Sequence, residues 1–281
     1  MPRTEPSVTA LMPVHRGIDP RHLSLAIESV LAQTTTPDEF VIVEDGPLTD
    51  EQAAVLDAVE QRNAQVRRVR LTTNQGAGVA NQAGLAVARG TWIMKVDADD
   101  INVPHRLSTQ LAECTTRSLD VCGAAMLEFD GDPDHPIRIR RSPESSREIR
   151  RRVRFNNPMN HPTTLYRREL AVGVGGYPAM RFMQDYDLFA RMVASGAEMA
   201  NLAEPLVYFR SGRSMRRRRR GEEILRLEWE LQRRLRSYGL VGWVRTIRNL
   251  GVRVAFRLLP DGGSRLVYGH ILSRPVGRES S

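Results

Sequence analysis

Residues 97–100 read Asp-Ala-Asp-Asp and follow the apolar run Trp92-Ile93-Met94-Lys95-Val96. Three carboxylates within four residues repel one another in a buried loop. A divalent cation with its bound phosphates balances that charge. An acidic turn at the carboxyl end of a strand also sits where an open α/β sheet places its ligand. Hard oxygen donors suit Mg²⁺ or Mn²⁺ carrying a diphosphate. The spacing alone equally allows an acidic turn that caps the next helix through Asp99 or Asp100.

Other residues bear on the same crevice. Asp45 closes the run Phe40-Val41-Ile42-Val43-Glu44 and precedes Gly46. Its carboxylate could accept from a pyrimidine N–H, with Asp97 on a ribose hydroxyl and Asp99 left for the metal. In isolation Asp45 reads more readily as a turn former. Asn74-Gln75-Gly76-Ala77-Gly78 opens a helix, but Asn81 holds the last position of a dinucleotide fingerprint, so the segment reads as a glycine turn near the crevice. Gln184-Asp185-Tyr186-Asp187-Leu188 starts another helix. Asp185 is either a residue that complements the helix dipole or a general base for an attacking hydroxyl. Asn160-His161-Pro162 offers a side chain to the cleft, although a lone His is more often structural.

Those residues need elements to hold them. Apolar runs at 8–14, 40–43, 66–71, 92–96 and 121–129 read as strands. Helical patterns at 20–33, 50–62, 77–88 and 104–114 alternate with them, the last started by Pro104. This β-α-β-α order calls for a Rossmann-like, mostly parallel sheet flanked by helices. Residues 130–162 are irregular, with a short helix at 144–154. A helix at 184–195, an extended stretch at 199–209 and Arg-rich helices at 221–237 and 239–259 follow.

Charge divides the chain. From Pro205 onward, 18 Arg stand against 6 acidic residues, a balance of +12. The whole chain carries +8, so residues 1–204 sum to −4. A basic tail implies a polyanion, either nucleic acid or an anionic membrane surface. The run Arg216–Arg220 by itself is equally a solvated charge block. Beside it, Trp243, Val244, Ile247, Leu250, Val254 and Phe256 interleave with Arg245, Arg248, Arg253 and Arg257, a mix that fits a helix in a lipid interface. That helix could equally pack its apolar side on the domain. No run of ~20 apolar residues suggests a membrane span, Met1–Ser7 carries no leader core, and Cys114 and Cys122 read as reduced core thiols. The expectation is a cytoplasmic protein, with residues 1–210 forming an α/β domain and 211–281 a basic α-helical extension.

As a set, these segments resemble the family-2 glycosyltransferases of the GT-A fold. Met12-Pro13-Val14-His15 resembles the family's opening motif and Val41–Gly46 its second-strand Asp-Gly element. Asn74-x-Gly76 with Asn81-x-x-Gly84 resembles its central loop and helix. Asp97-Ala98-Asp99-Asp100 matches its Asp-x-Asp-Asp. Met183-Gln184-Asp185-Tyr186-Asp187-Leu188 resembles its acceptor-side motif, with Gln184 in place of the usual acid. The likeness spans residues 7–210. Lys95–Ile101, Arg106, Gln110, Asn157–Pro162 and Arg257-Leu258-Leu259-Pro260 further resemble exopolysaccharide and O-antigen transferases of the amylovoran-biosynthesis type.

The resemblance implies inverting transfer from a nucleotide-diphosphate sugar, a UDP-sugar first, to a lipid-linked saccharide. It places Pro13, Val14, His15, Asp45, Asn74, Gly76, Asn81, Lys95, Asp97 and Ala98 on the donor and a divalent cation on Asp99. Asp185 becomes the base, with His161 and Gln184 on the acceptor side of the cleft. Peripheral attachment to the cytoplasmic membrane follows, and nucleic acid is not the expected partner. A nucleotidyltransferase is the nearest rival, but His15-Arg16-Gly17-Ile18-Asp19 is a poor glycine-rich loop. A non-enzymatic polyanion binder would leave the acidic residues 1–204 without purpose.

Overall fold

The computed structural model describes residues 6–211, 222–258 and 274–275. The run Arg216–Arg220 and the pair Leu259-Pro260 lie outside the described residues. Strands β1 (Val8–Val14), β2 (Glu39–Glu44), β3 (Val66–Arg70) and β4 (Trp92–Lys95) pair in parallel in the order β3-β2-β1-β4. Their crossovers are α1 (Pro20–Leu31), α2 (Asp50–Arg62) and α3 (Ala77–Val87). Local chemistry sets the helix starts. Asp19 accepts from Arg21 N with Pro20 in the first turn, and Thr49 and Gln52 form a capping box.

The second half extends the sheet by other means. It comprises β5 (Ile101–Asn102), α4 (Arg106–Thr116), β6 (Val121–Phe129), β7 (Arg138–Arg140) and α5 (Ser146–Arg152). A 3₁₀ turn at His161–Thr163 leads into β8 (Leu165–Arg167), α6 (Arg168–Gly173), α7 (Gln184–Ala194) and β9 (Met199–Arg210). Helices α8 (Glu222–Ser237) and α9 (Trp243–Leu258) and strand β10 (Arg274–Pro275) complete it. β8 lies antiparallel between β4 and β6, and β6 runs parallel to β9.

Period-2 alternation sorts the core. Val8, Ala10, Met12, Phe40 and Ile42 pack against Leu23 and Ile27 of α1, Leu56 of α2 and Leu107 of α4. Their neighbours Leu11, Val41 and Val43 face Ala80 and Leu85 of α3 and the helices α5, α7 and α8. The sequence pattern places the strands and crossovers well. Helix α4 differs. It starts at Arg106, and Pro104 lies before it, where its carbonyl accepts from Thr34 N at 2.8 Å. Cys114 and Cys122 are buried and unbridged.

The C-terminal helices pack on the domain unequally. Leu231 and Leu235 of α8 are fully buried among the α7 side chains. Tyr238 donates to Asp187 Oδ1 at 2.8 Å, and Arg191 pairs with the other carboxylate oxygen. Helix α9 turns polar residues inward: Thr246 and Asn249 are buried, and Asn249 Nδ2 donates to Arg154 O at 2.8 Å. Its Val244 and Ile247 are 85% and 66% exposed. Among the described residues no helix is long and apolar enough to cross a membrane.

Candidate active site

Parallel pairing brings the ends of β1, β2 and β4 to one edge of the sheet, where an open α/β sheet forms its crevice. Val14 and Glu44 are in register, and Val14 O accepts from Asp45 N at 2.7 Å. Past β4, Val96 N still donates to Leu11 O at 3.0 Å, so Asp97 leaves the sheet beside the end of β1.

Asp45 anchors a loop. Its carboxylate accepts from Gln75 N at 2.7 Å and Gly76 N at 2.9 Å, and Asn74 Nδ2 donates to its carbonyl at 3.1 Å. Gly46 has φ +85°, and a Cβ there would lie 2.5 Å from Asn74 N, so only glycine lets the two loops touch. At Gly78 a Cβ would meet Pro178 O at 2.2 Å, which seats the start of α3 against the segment leading to α7. Asn81 is buried on α3. Its Nδ2 donates to Ala77 O, while its Oδ1 has no partner. Pro13 and His15 are half-buried at the end of β1, where His15 Nδ1 accepts from Gly17 N at 2.9 Å.

The acidic turn is held from beneath by cations. Lys95 is fully buried, and its Nζ donates to Asp97 Oδ1 at 2.6 Å and Val96 O at 2.5 Å. Burial, the largest single influence, opposes ionisation of Asp97, yet Lys95, His161 and Arg106 together outweigh it and hold the carboxyl below its usual range. Arg106, also fully buried, donates to Gln110, Asn102 and the Lys95 carbonyl. Arg210 reaches over from β9: its backbone N donates to Asp100 Oδ1 at 2.9 Å and its Nε to Asp99 O at 3.1 Å. Neither Asp99 nor Asp100 caps a helix, because the chain continues into strand β5 rather than α4. Burial and the neighbouring Asp97 charge push Asp99 up to about 6. The same causes, with Asp99 added, raise Asp100 well above the usual carboxylate range, and its buried Oδ2 has no partner.

These residues fit a divalent cation. The donors are hard carboxylate oxygens, one is orphaned, and the turn carries charge that its own cations leave partly unrelieved. Among the described residues no three His, Cys, Asp or Glu side chains converge on one point. The protein would therefore give such an ion few ligands and leave the rest to diphosphate and water, the habit of Mg²⁺.

The antiparallel β8 delivers the other wall. Thr164 O accepts from Lys95 N at 2.9 Å, so the 3₁₀ turn that carries His161 stands beside the acidic turn. His161 feels both Asp185 and Asp97, but burial first and Lys95 second bring it down to about 4, so it is neutral near pH 7. Its Nε2 lies 2.9 Å from Tyr177 Oη, which lies 2.9 Å from Tyr166 Oη. Asp185 is half-buried in the first turn of α7 beside the buried Gln184, and its Oδ2 accepts from Asn157 Nδ2 at 2.7 Å. Met183, just before the helix, sits at φ +64°, a left-handed conformation uncommon for a side chain of its size.

The structure thus gathers Asp97, His161 and Asp185 around one centre, with Asp45 farther along the same edge and Asn81 buried within α3. The sequence pattern gives no role to the tyrosine pair, the Asn157 contact or Arg210. Arg210 lies 110 residues from Asp100, and no local spacing links them.

Residues 9–173 match the profile of glycosyl transferase family 2, more than half of the chain. The chain belongs to this family. The amylovoran biosynthesis glycosyltransferase AmsE of Erwinia amylovora is 31% identical over 92% of this chain and 97% of its own length. An Escherichia coli UDP-Gal:α-D-GlcNAc-diphosphoundecaprenol β-1,3-galactosyltransferase is 27% identical over 96% of this chain and 98% of its own. Among solved structures, S. aureus TarS 1–349 in complex with UDP-GlcNAc superposes with a TM-score of 0.66 at 17% identity, covering 94% of this chain and 76% of that one. The protein is therefore a glycosyltransferase with the GT-A fold, and its relatives include enzymes of polysaccharide biosynthesis.

Proposed function

We propose that the protein moves a sugar, with inversion, from a nucleotide-diphosphate sugar to a hydroxyl of a lipid-linked saccharide during cell-surface polysaccharide synthesis. The observation that carries this is the meeting of the acidic turn and Asp185 around the neutral His161. Asp45 and Asp97, with the β1 end from Pro13 to His15 and the loop Asn74–Gly76, hold the nucleoside of a UDP-sugar. Lys95 keeps Asp97 ionised for that contact. Asp99 would hold a divalent cation, which supplies charge neutralisation at the departing diphosphate.

Asp185 faces the acceptor. Its carboxylate, oriented by Asn157, takes the proton of the acceptor hydroxyl as that oxygen bonds to the anomeric carbon. The bond to the diphosphate breaks on the opposite face, and the proton later leaves Asp185 for water. His161, neutral and fixed by Tyr177, adds no competing positive charge beside the base. The basic C-terminal helices hold the enzyme at the cytoplasmic face of the membrane, where the acceptor lies. A panel of nucleotide sugars, assayed for transfer to diphosphate-linked saccharides with and without chelator, tests the proposal. Asp99→Ala should abolish transfer and weaken metal-dependent donor binding. Full activity of that variant with undiminished Mn²⁺ dependence would sink it.

A further inference from the structure

Arg151 and Arg154 at the end of α5, with Phe155, face Arg245 and Arg248 of α9 across a cleft of about 350 Å³. Among the described residues none of these four guanidinium groups lies within 4.0 Å of a carboxylate. Elsewhere in the protein arginines are commonly paired: Arg68 with Glu44, Arg138 with Glu128, Arg191 with Asp187. Four like charges drawn around one cleft repel, and a bound anion relieves that repulsion. Guanidinium forks match phosphate oxygens in pairs.

The helix that supplies two of these arginines also displays apolar surface. Thr246 and Asn249 turn inward, so Trp243, Val244 and Ile247 face outward beside Arg248. Arg248 follows Val244 by one helical turn, which places charge and hydrocarbon on adjoining ridges. The cleft also borders the acceptor side of the active site. Asn157, which donates to Asp185, follows Phe155 by two residues, a reach of at most ~7 Å along the chain.

From this juxtaposition we infer that the α5–α9 cleft binds the diphosphate of the acceptor, with the lipid chain running over Val244 and Ile247. The inference rests on the lipid-linked acceptor proposed above and adds the residues that would receive it. It also makes the attacking hydroxyl part of a sugar close to the diphosphate.

The test uses the full chain and the double variant Arg245→Gln/Arg248→Gln, Arg248 being exposed and Arg245 half-buried at the cleft. Farnesyl diphosphate is the probe, read by titration calorimetry, with UDP binding and the unfolding midpoint as controls. The expected result is at least a tenfold loss of farnesyl diphosphate affinity with both controls unchanged. Where transfer is measurable, KM for a diphosphate-linked acceptor should rise at constant kcat, while a neutral alkyl glycoside of the same sugar behaves alike in both proteins. Equal farnesyl diphosphate binding by the two proteins, or none by the wild type, overturns the inference. So does loss of binding to phosphatidylglycerol vesicles without any farnesyl diphosphate binding, which would make the cleft a general membrane patch. Tight, arginine-dependent farnesyl diphosphate binding in a protein that transfers no sugar supports the cleft and overturns the transferase reading of its occupant.

Discussion

Around Asp97, Asp99 and Asp100 the protein supplies its own counter-charge. Lys95 lies 2.6 Å from Asp97, Arg210 clasps the turn from β9, and Arg106 braces it from below. Around Arg151, Arg154, Arg245 and Arg248 no carboxylate of the described residues forms an ion pair, and only Glu148, one turn before Arg151, feels one of their charges. The first region is partly buried, Asp100 fully and Asp97 and Asp99 in part, and its groups are tied to the sheet edge by hydrogen bonds. The second lies on the surface and is open. The contrast separates charge that is prearranged for a reaction from charge that awaits a ligand. Only the unrelieved part of the first, Asp99 at about 6 and the orphaned Asp100 Oδ2, still calls for a cation from outside.

The largest effect expected on the acceptor side comes from Asp185. Asp185→Asn keeps the shape and the Asn157 contact but cannot take a proton, so kcat should fall by ~10²–10⁴ with donor affinity retained. Asn157→Ala should leave the base in place but unoriented and cost less. If Asp185→Asn lost under about tenfold, Asp185 would be a helix-terminal charge and the base would have to be sought elsewhere.

The acidic side is sharpened by Arg106. Removing its guanidinium in Arg106→Met leaves Gln110, Asn102 and the Lys95 carbonyl without their donor and the turn without one of its cations. Breaking such a buried charged network costs about 3–5 kcal/mol. Denaturant unfolding measures it, and a loss under about 1 kcal/mol would mean that Lys95 and Arg210 alone balance the turn.

How far these two regions could be read from sequence differs for a physical reason. The strands that end at Val14, Glu44 and Lys95 are nearly continuous apolar runs, so the sheet edge and Asp97 follow from local pattern. Strand β8 has only Leu165-Tyr166-Arg167 and is fixed by pairing with Trp92–Met94, which no local rule reveals. Arg106 and Asn157 stand out in the sequence only through family likeness, and their hydrogen bonds to Gln110 and Asp185 supply the physical reason. Helix α9 has an amphipathic pattern that allows either face to be buried. The choice rests on Asn249 reaching Arg154 O and Gln232 Oε1 of α8, which are properties of packing.

The smallest expected effect concerns Asp99 without metal. Its folded value of about 6 lies above its ordinary value of 3.8, because burial and Asp97 disfavour the charged form. A carboxyl raised in this way adds stability that is fully present below 3.8 and is lost as pH rises through about 6. Asp99→Asn is neutral throughout and loses nothing over that window. With chelator present, its stability advantage over the wild type should therefore be greater at pH 7 than at pH 5, by about 1 kcal/mol. His161 acts with the opposite sign, since its value of about 4 lies below 6.5 and it destabilises the fold as pH falls between them. That contribution is common to both proteins and cancels in the difference. Thermal unfolding of the pair at the two pH values decides the matter. An advantage that is flat with pH would show that Arg210 and Lys95 already neutralise Asp99, and the acidic turn would then have no unrelieved charge to offer a cation.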